Sequence, residues 1–519
     1  MNFAGLLENQ ARKNPDKPAI IFRDSPITFN QLRDSVFRLA NSLLNLGIKK
    51  GERIAIYLPN WPEYIYSYLA IWACGATAVP LDFMFTEDEL VSCLAHSETK
   101  LLIAKPKTNL SFDALKEKCP DLNRIIICQQ EENLTADKGI FLSFEELLKK
   151  GTENSPGVKV EDKDYAIIFY TSGTTGKPKG VLINYLQLEA PPKAIKYFVD
   201  ADLNENDVAL CALPFSHVGG LIYIQINIVF NVKVVLMERF LPLEFLRNIQ
   251  NYKVNWFWLV PSMYYAFLQL KEFETFDLAS LRWIVIFGAP SSPDALRRFH
   301  QHCPQANIFH GWGLTETNAP TTVIPTGSHK IESVGRPAPW IEVKIFSAAG
   351  GSAFGGDESD RELPQGQVGE IVVRGWIVTD GYYKDPVLTG QVMRNGWFHT
   401  GDLGRIDNEG YLYIVGRKKE MIKVSGEIVF EPEVEAAIHK YPEVAEVAVI
   451  GVPDKLRGEV PKAFVVLKEE SRLGAEDLRY FCRQHLAHFK IPHYFEFRKS
   501  LPKNRAGKID KETLRNTNA

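Results

Sequence analysis

A chain of 519 residues is several times the length of a usual domain, so a large core-bearing body and at least one further domain are expected. Hydrophobic residues at 45%, charged residues at 24% and a formal net charge of -3 describe an ordinary globular composition. So small a charge gives no long-range attraction for nucleic acid or an anionic membrane, and no run approaches the ~18 uncharged apolar residues of a spanning helix.

The N-terminus, MNFAGLLENQARKNPDKPA, has no basic stretch leading into an apolar region, so no targeting segment is expected. From there to about residue 160, amphipathic helical patterns alternate with short apolar strands. ITFNQLRDSVFRLANSLLNLGI reads as a helix and RIAIYL as a buried strand. A second series follows, in which VKVVLM, VNWFWLVP, LRWIVIF and ANIFHGWG are short apolar runs bounded by charges, Gly or Pro. Runs of this kind suit parallel sheets covered on both faces. The stretch SAAGGSAFGGDESDRELPQGQVG, between Phe346 and Gly369, reads as a surface loop. After it come the short strands GEIVVRG and GYLYIVGRKKEMIKV. The last hundred residues return to a compact α/β pattern, with EPEVEAAIHKY and AEDLRYFCRQHLA as helices and VAEVAVIGV and KAFVVLK as strands. A domain boundary is expected at Arg417 to Lys419, dividing the chain into 1–416 and 417–519. The seven cysteines are scattered, odd in number and without His at ligand spacing, which argues against a disulfide framework or a zinc site and fits a reducing, cytoplasmic setting.

The strongest local signal is YTSGTTGKPKG, Tyr170 to Gly180, directly after the apolar strand AIIF. Glycines let backbone N–H groups approach anionic oxygens. Thr171, Ser172, Thr174 and Thr175 add hydroxyl donors, and Lys177 and Lys179 add charge, so the loop suits a polyphosphate. A Walker loop needs Ser or Thr directly after its Gly-Lys pair, and Pro178 stands there instead. Further on, HGWGLTET places Gly311 and Gly313 around Trp312, then Thr315 and Glu316, so an aromatic plane, a hydroxyl and a carboxylate meet at a strand end.

YTSGTTGKPKG resembles the signature loop of the adenylate-forming superfamily, which includes acyl-CoA synthetases, peptide-synthetase adenylation domains and beetle luciferases. Seven later segments resemble that family in the same order: ALPFSHVGG, FGAPSS, HGWGLTET, SVGRPAP, GWFHTGDLG, GRKKEMIKVSGE and PKNRAGKID. The resemblance covers essentially the whole chain and is nearest to fatty-acid and aryl-acid CoA ligases, since nothing like a carrier-protein module follows Lys508. It implies an α/β fold, with a large N-terminal domain of several subdomains and a small mobile α+β C-terminal domain. It also implies ATP, Mg²⁺ and coenzyme A, with a small carboxylic acid as the molecule activated; medium or long straight-chain fatty acid is the first expectation and an aryl or cyclic acid the second, with a stand-alone adenylating enzyme that charges a carrier protein as the other alternative.

Residue by residue, the resemblance implies that Thr171, Ser172, Gly173, Thr174, Thr175, Gly176 and Lys179 cradle phosphate. Gly288, Ala289 and Pro290 would contact adenine, and Gly311, Trp312 and Gly313 would frame it, with Trp312 where many relatives carry Tyr. Thr315 would bind phosphate and Glu316 would hold Mg²⁺, an ion that favours oxygen ligands and substrate phosphates. Asp402 would accept the ribose hydroxyls, with Arg417 on ribose and phosphate. Lys419 would mark the hinge, and Lys423, Ser425 and Gly426 would lie near the phosphate and pantetheine path. His217 would position the acid's carboxylate, and Lys508 would bridge the attacking carboxylate and the α-phosphate. Two places depart from the family pattern. Ile428 replaces a commonly polar residue with Pro432 one position late, and Phe287 precedes Gly288 where small residues are frequent.

Overall fold

The computed structural model describes residues 2–107, 111–129, 140–171, 178–199, 203–288, 291, 293–347, 360–425, 427–468, 471, 473–503 and 509–517. Four sheets organise them. In the first, the strands run Phe141–Ser143, Arg124–Ile127, Leu101–Ala104, Arg53–Tyr57, Thr77–Pro80, Tyr165–Thr171 and Lys179–Asn184, all parallel except the last. Their apolar runs are buried on both faces, as a doubly covered parallel sheet requires.

The second sheet has nine strands in the order Arg336–Pro337, Thr322–Val323, Asn307–Trp312, Trp283–Ile286, Trp256–Leu259, Val208–Cys211, Lys233–Leu236, Pro18–Phe22 and Ser25–Thr28. Its middle six are parallel, and antiparallel pairs close its edges. Helices cover both large sheets. In the helix Phe29–Asn45, Phe29, Leu32, Val36, Phe37, Leu39, Ala40 and Leu43 form the buried stripe that its sequence spacing predicts. The helix begins two residues later than the sequence pattern suggests. Ile27 and Thr28 end the preceding strand, and Thr28 caps the helix through a reciprocal bond pair with Gln31.

A third, antiparallel sheet joins Ile341–Phe346, Gly369–Gly375, Trp397–Ile406 and Met393–Arg394, with Leu412–Arg417 paired to Trp397–Ile406. Of the expected surface loop after Phe346, residues 348–359 lie outside the described residues, while Glu362 returns to bridge Phe346. The chain then passes through the short turn Lys418–Glu420 into the fourth sheet, which contains Glu427–Phe430, Met421–Val424, Gly458–Leu467, Val444–Asp454 and Tyr494–Phe497. The helices Glu431–Ile438, Ala475–His485 and Lys511–Asn516 complete this smaller α+β domain, which has its own apolar core around Val429, Val434, Val449, Val465 and Leu478. Among the described residues no helix is long and apolar enough to cross a membrane.

Candidate active site

Strands Tyr165–Thr171 and Lys179–Asn184 form a hairpin whose last described pair is Thr171 opposite Lys179. The loop expected to cradle phosphate joins these two residues, and its Ser172, Gly173, Thr174, Thr175 and Gly176 lie outside the described residues. The hairpin's stem is held from two sides. At its base, the Tyr170 hydroxyl lies 2.8 Å from His96 Nδ1, and His96 packs edge-on against Tyr170 and Tyr383. Burial lowers the His96 imidazole below its ordinary range.

The second support is the segment from Thr379 to Tyr383. Leu182 N–H donates to the Gly381 carbonyl at 3.1 Å, Tyr383 N–H donates to the Gly180 carbonyl at 2.7 Å, and the Thr379 hydroxyl donates to the Leu182 carbonyl at 2.6 Å. The same segment reaches Glu316. Thr379 N–H donates to the Glu316 carbonyl at 2.7 Å, and the buried Tyr382 hydroxyl donates to Glu316 Oε1 at 2.8 Å. Burial, reinforced by the Glu316 charge, pushes the Tyr382 phenol well above its usual range, so it remains a donor. Glu316 and Thr315 sit half-buried in the single turn Thr315–Thr317, just past the end of strand Asn307–Trp312. Among the described residues, Glu316 Oε2 accepts no hydrogen bond, which leaves one hard oxygen donor for a cation such as Mg²⁺.

Trp312, at the end of that strand, donates its indole N–H to Asp402 Oδ2 at 2.8 Å. Asp402 is only 4% exposed and lies directly opposite Arg417 in the third sheet, where the Arg417 Nε is 2.9 Å from Asp402 Oδ1. Trp312, Asp402 and Arg417 thus form one connected group. Gly311 is required sterically: a Cβ there would lie 2.0 Å from the Thr322 carbonyl oxygen and 2.8 Å from Phe287 Cζ. At Gly313 a Cβ would meet the Ala319 carbonyl oxygen at 2.7 Å. Phe287 itself packs against Trp258 with ring centroids 5.0 Å apart. Gly288 follows with φ +98, a conformation that favours glycine, whereas Ala289 and Pro290 lie outside the described residues.

The other expected residues that the structure describes lie on other elements. His217 precedes the helix Val218–Phe230, with Nε2 3.8 Å from Asp82 Oδ2 and its side chain half exposed. Lys423 is exposed on strand Met421–Val424, and Ser425 turns the chain with φ +51 while its N–H donates to the Arg457 carbonyl at 2.8 Å. Lys419 lies in the turn Lys418–Glu420. Gly426 and Lys508 lie outside the described residues, the latter between Lys503 and Ile509, which pair as an isolated bridge. Sequence reasoning missed Tyr382, Thr379 and His96. Only the Gly381-aromatic step before Pro386 offered a signal, and it resembles an ordinary turn.

The family model "AMP-binding enzyme" matches residues 7–383, and "AMP-binding enzyme C-terminal domain" matches 433–508. The chain is 32% identical to a long-chain-fatty-acid–CoA ligase of Bacillus subtilis (strain 168), with 98% of this chain and 93% of that protein covered. It is also 32% identical to a feruloyl-CoA synthase of Amycolatopsis sp, covering 98% and 97%. Among solved structures it resembles the anthranilate CoA ligase AuaEII in complex with anthranoyl-AMP, with a TM-score of 0.88, 26% identity and coverage of 100% and 97%. The chain belongs to the AMP-binding enzyme family and is an ATP-dependent acyl-CoA synthetase, using ATP, Mg²⁺ and coenzyme A in adenylation followed by thioester formation.

Proposed function

We propose that this synthetase activates an apolar carboxylic acid, with a medium- or long-chain fatty acid as the favoured substrate. The observation that carries this choice is the helix Val218–Phe230 beside His217. Its sequence, VGGLIYIQINIVF, has no charged residue, and Gly219 and Gly220 stand in its first turn, Gly220 packed against the Pro214 carbonyl. The helix from Gly220 to Ile228 is buried, so an apolar tail would approach at its half-buried start, Val218 and Gly219, without stranding a charge, with its carboxylate toward His217. A second reading, an aryl acid, is favoured by the aromatic pair Trp258 and Phe287, with Phe287 beside Gly311.

In the first step the acid's carboxylate attacks the α-phosphorus of ATP in line, and pyrophosphate leaves. Carboxylates are poor acyl donors, and the mixed anhydride supplies AMP as a good leaving group. Little proton transfer is needed, so positioning and charge stabilisation do most of the catalysis. Trp312, with Gly288, Ala289 and Pro290, positions adenine; Asp402 accepts from the ribose hydroxyls; and Arg417 covers ribose and phosphate. Thr171 to Gly176, Lys179 and Thr315 hold phosphate oxygens, and Lys508 bridges the attacking carboxylate and the α-phosphate. Glu316 holds the Mg²⁺ ion through its oxygen; neutralising polyphosphate charge is what that ion supplies when bound. In the second step the residues beyond the turn at Lys419 rotate, withdrawing Lys508 and admitting the coenzyme A thiol past Lys423, Ser425 and Gly426. The thiol attacks the anhydride carbonyl and AMP departs.

The test is pyrophosphate and AMP release from Mg-ATP with octanoate, palmitate, benzoate or 4-coumarate, with and without coenzyme A, in the native protein and Lys508→Ala. Steady AMP formation that needs coenzyme A and a fatty acid, and that collapses in the variant, is the expected result. Turnover with the aryl acids alone overturns the fatty-acid choice. Unchanged pyrophosphate release by the variant overturns the role given to Lys508.

A further inference from the structure

Glu316 is the one acidic residue of the segment HGWGLTET, and its carboxylate is not left to solvent. Tyr382, 66 residues further along the chain, donates to Oε1 at 2.8 Å from a ring that is 8% exposed. The backbone beneath that ring is fixed independently. Tyr382 bridges Val181, the Gly180 and Leu182 backbones bond to its two neighbours, and its own N–H donates to the Thr389 hydroxyl at 3.0 Å. Gly381 adds to this constraint: its φ is +135, and a Cβ there would meet Thr389 Cγ2 at 2.5 Å. The segment is therefore a bracket with one arm on the stem of the phosphate hairpin and the other on Glu316, through both the main chain and the side chain of the glutamate.

We propose that Tyr382 is a positioning residue for the metal-binding carboxylate, holding Glu316 Oε1 so that Oε2 faces a cation at a set distance from the phosphate hairpin. This deepens the reading of Glu316 as the Mg²⁺ ligand and rests on it. A free glutamate must lose side-chain rotamers each time it takes up an ion. A carboxylate already held by a buried, charge-assisted hydrogen bond has lost them beforehand, and its donor atom is preorganised. The bracket also ties that atom to the described stem of the hairpin, through Gly180, Val181 and Leu182.

The test needs no acid substrate. Calorimetry measures the affinity of the whole chain for ATP in excess Mg²⁺ and for ATP in EDTA, for the native protein, Tyr382→Phe and Glu316→Gln, with thermal unfolding of each as a control for folding. The native protein binds ATP more tightly with the metal than without it, and Glu316→Gln abolishes that gain. In Tyr382→Phe the gain shrinks about tenfold while affinity for metal-free ATP is unchanged, as expected for one lost hydrogen bond to a charged group. A Tyr382→Phe protein that keeps the full gain, or that loses affinity equally with and without the metal, overturns the positioning role. A native protein without any gain, or a Glu316→Gln protein that retains it, overturns the metal reading itself.

Discussion

His310 offers a test with a worked magnitude. It lies on strand Asn307–Trp312, two residues before Trp312, and its Nε2 is buried with no hydrogen-bond partner among the described residues. Burial lowers its imidazole from 6.5 to about 4. The folded chain thus disfavours the imidazolium, whereas the unfolded chain takes up a proton near pH 6.5. The stability that His310 contributes is complete above pH 6.5 and is lost as pH falls toward 4. Moving from pH 7.5 to 5.0, this linkage removes about 2 kcal/mol, a factor of about 30 in the folded-to-unfolded ratio. His310→Gln has no ionisation in that range and a similar volume, so its stability declines by about 2 kcal/mol less over the same interval. Urea unfolding followed by tryptophan fluorescence at the two pH values measures both declines. Equal losses in the two proteins refute the assignment of an uncharged, solvent-excluded His310.

Asp402→Ala leaves the buried Trp312 indole N–H without this acceptor and Arg417 without this counter-charge; a loss of about 1–3 kcal/mol in thermal unfolding is expected, together with a raised KM for ATP. An unchanged KM and melting temperature would remove Asp402 from the nucleotide site. In the C-terminal domain, Lys511 is held between Glu431 at 3.0 Å and Glu435 at 2.7 Å. Lys511→Met strands the Glu435 carboxylate in a buried place, leaves Glu431 with Arg515 alone, and is expected to cost about 3–5 kcal/mol at neutral pH in urea unfolding. Burial raises the Glu435 carboxyl above its ordinary range, so the penalty shrinks as pH falls and the proton is taken up; a penalty independent of pH would refute the buried-charge account.

The elements of the two large sheets are legible because a parallel strand covered on both faces has to be apolar along its length, and RIAIYL, WFWL and WIVI satisfy that without help from distant residues. The site was legible where its chemistry is local. Thr315 and Glu316 follow Trp312 by three and four residues, so one strand end delivers all three. What could not be read was the set of partners. The bond from Trp312 to Asp402 spans 90 residues, and that from Tyr382 to Glu316 spans 66. No periodicity encodes which indole meets which carboxylate; that depends on how the third sheet docks on the second. The start of the helix Phe29–Asn45 was misplaced for a smaller reason, since Ile27 fits an apolar helical stripe and an edge strand equally well.

The same docking bears on where the proposed rotation can begin. Arg417 is the last residue of a five-pair ladder to strand Trp397–Ile406 and is bonded to Asp402, so it belongs mechanically to the large domain. The next residue, Lys418, is linked to that domain by a looser contact, its Nζ 3.6 Å from Glu370 Oε2 with the lysine one-third exposed. That contact is a single ion pair to a buried carboxylate, with no backbone hydrogen bond beside it among the described residues. Breaking the ladder costs several hydrogen bonds; leaving at Lys418 breaks one ion pair. Rotation that starts at Lys418–Glu420 would therefore leave the Asp402–Arg417 pair in the large domain, as the proposed retention of the adenylate between the two chemical steps demands.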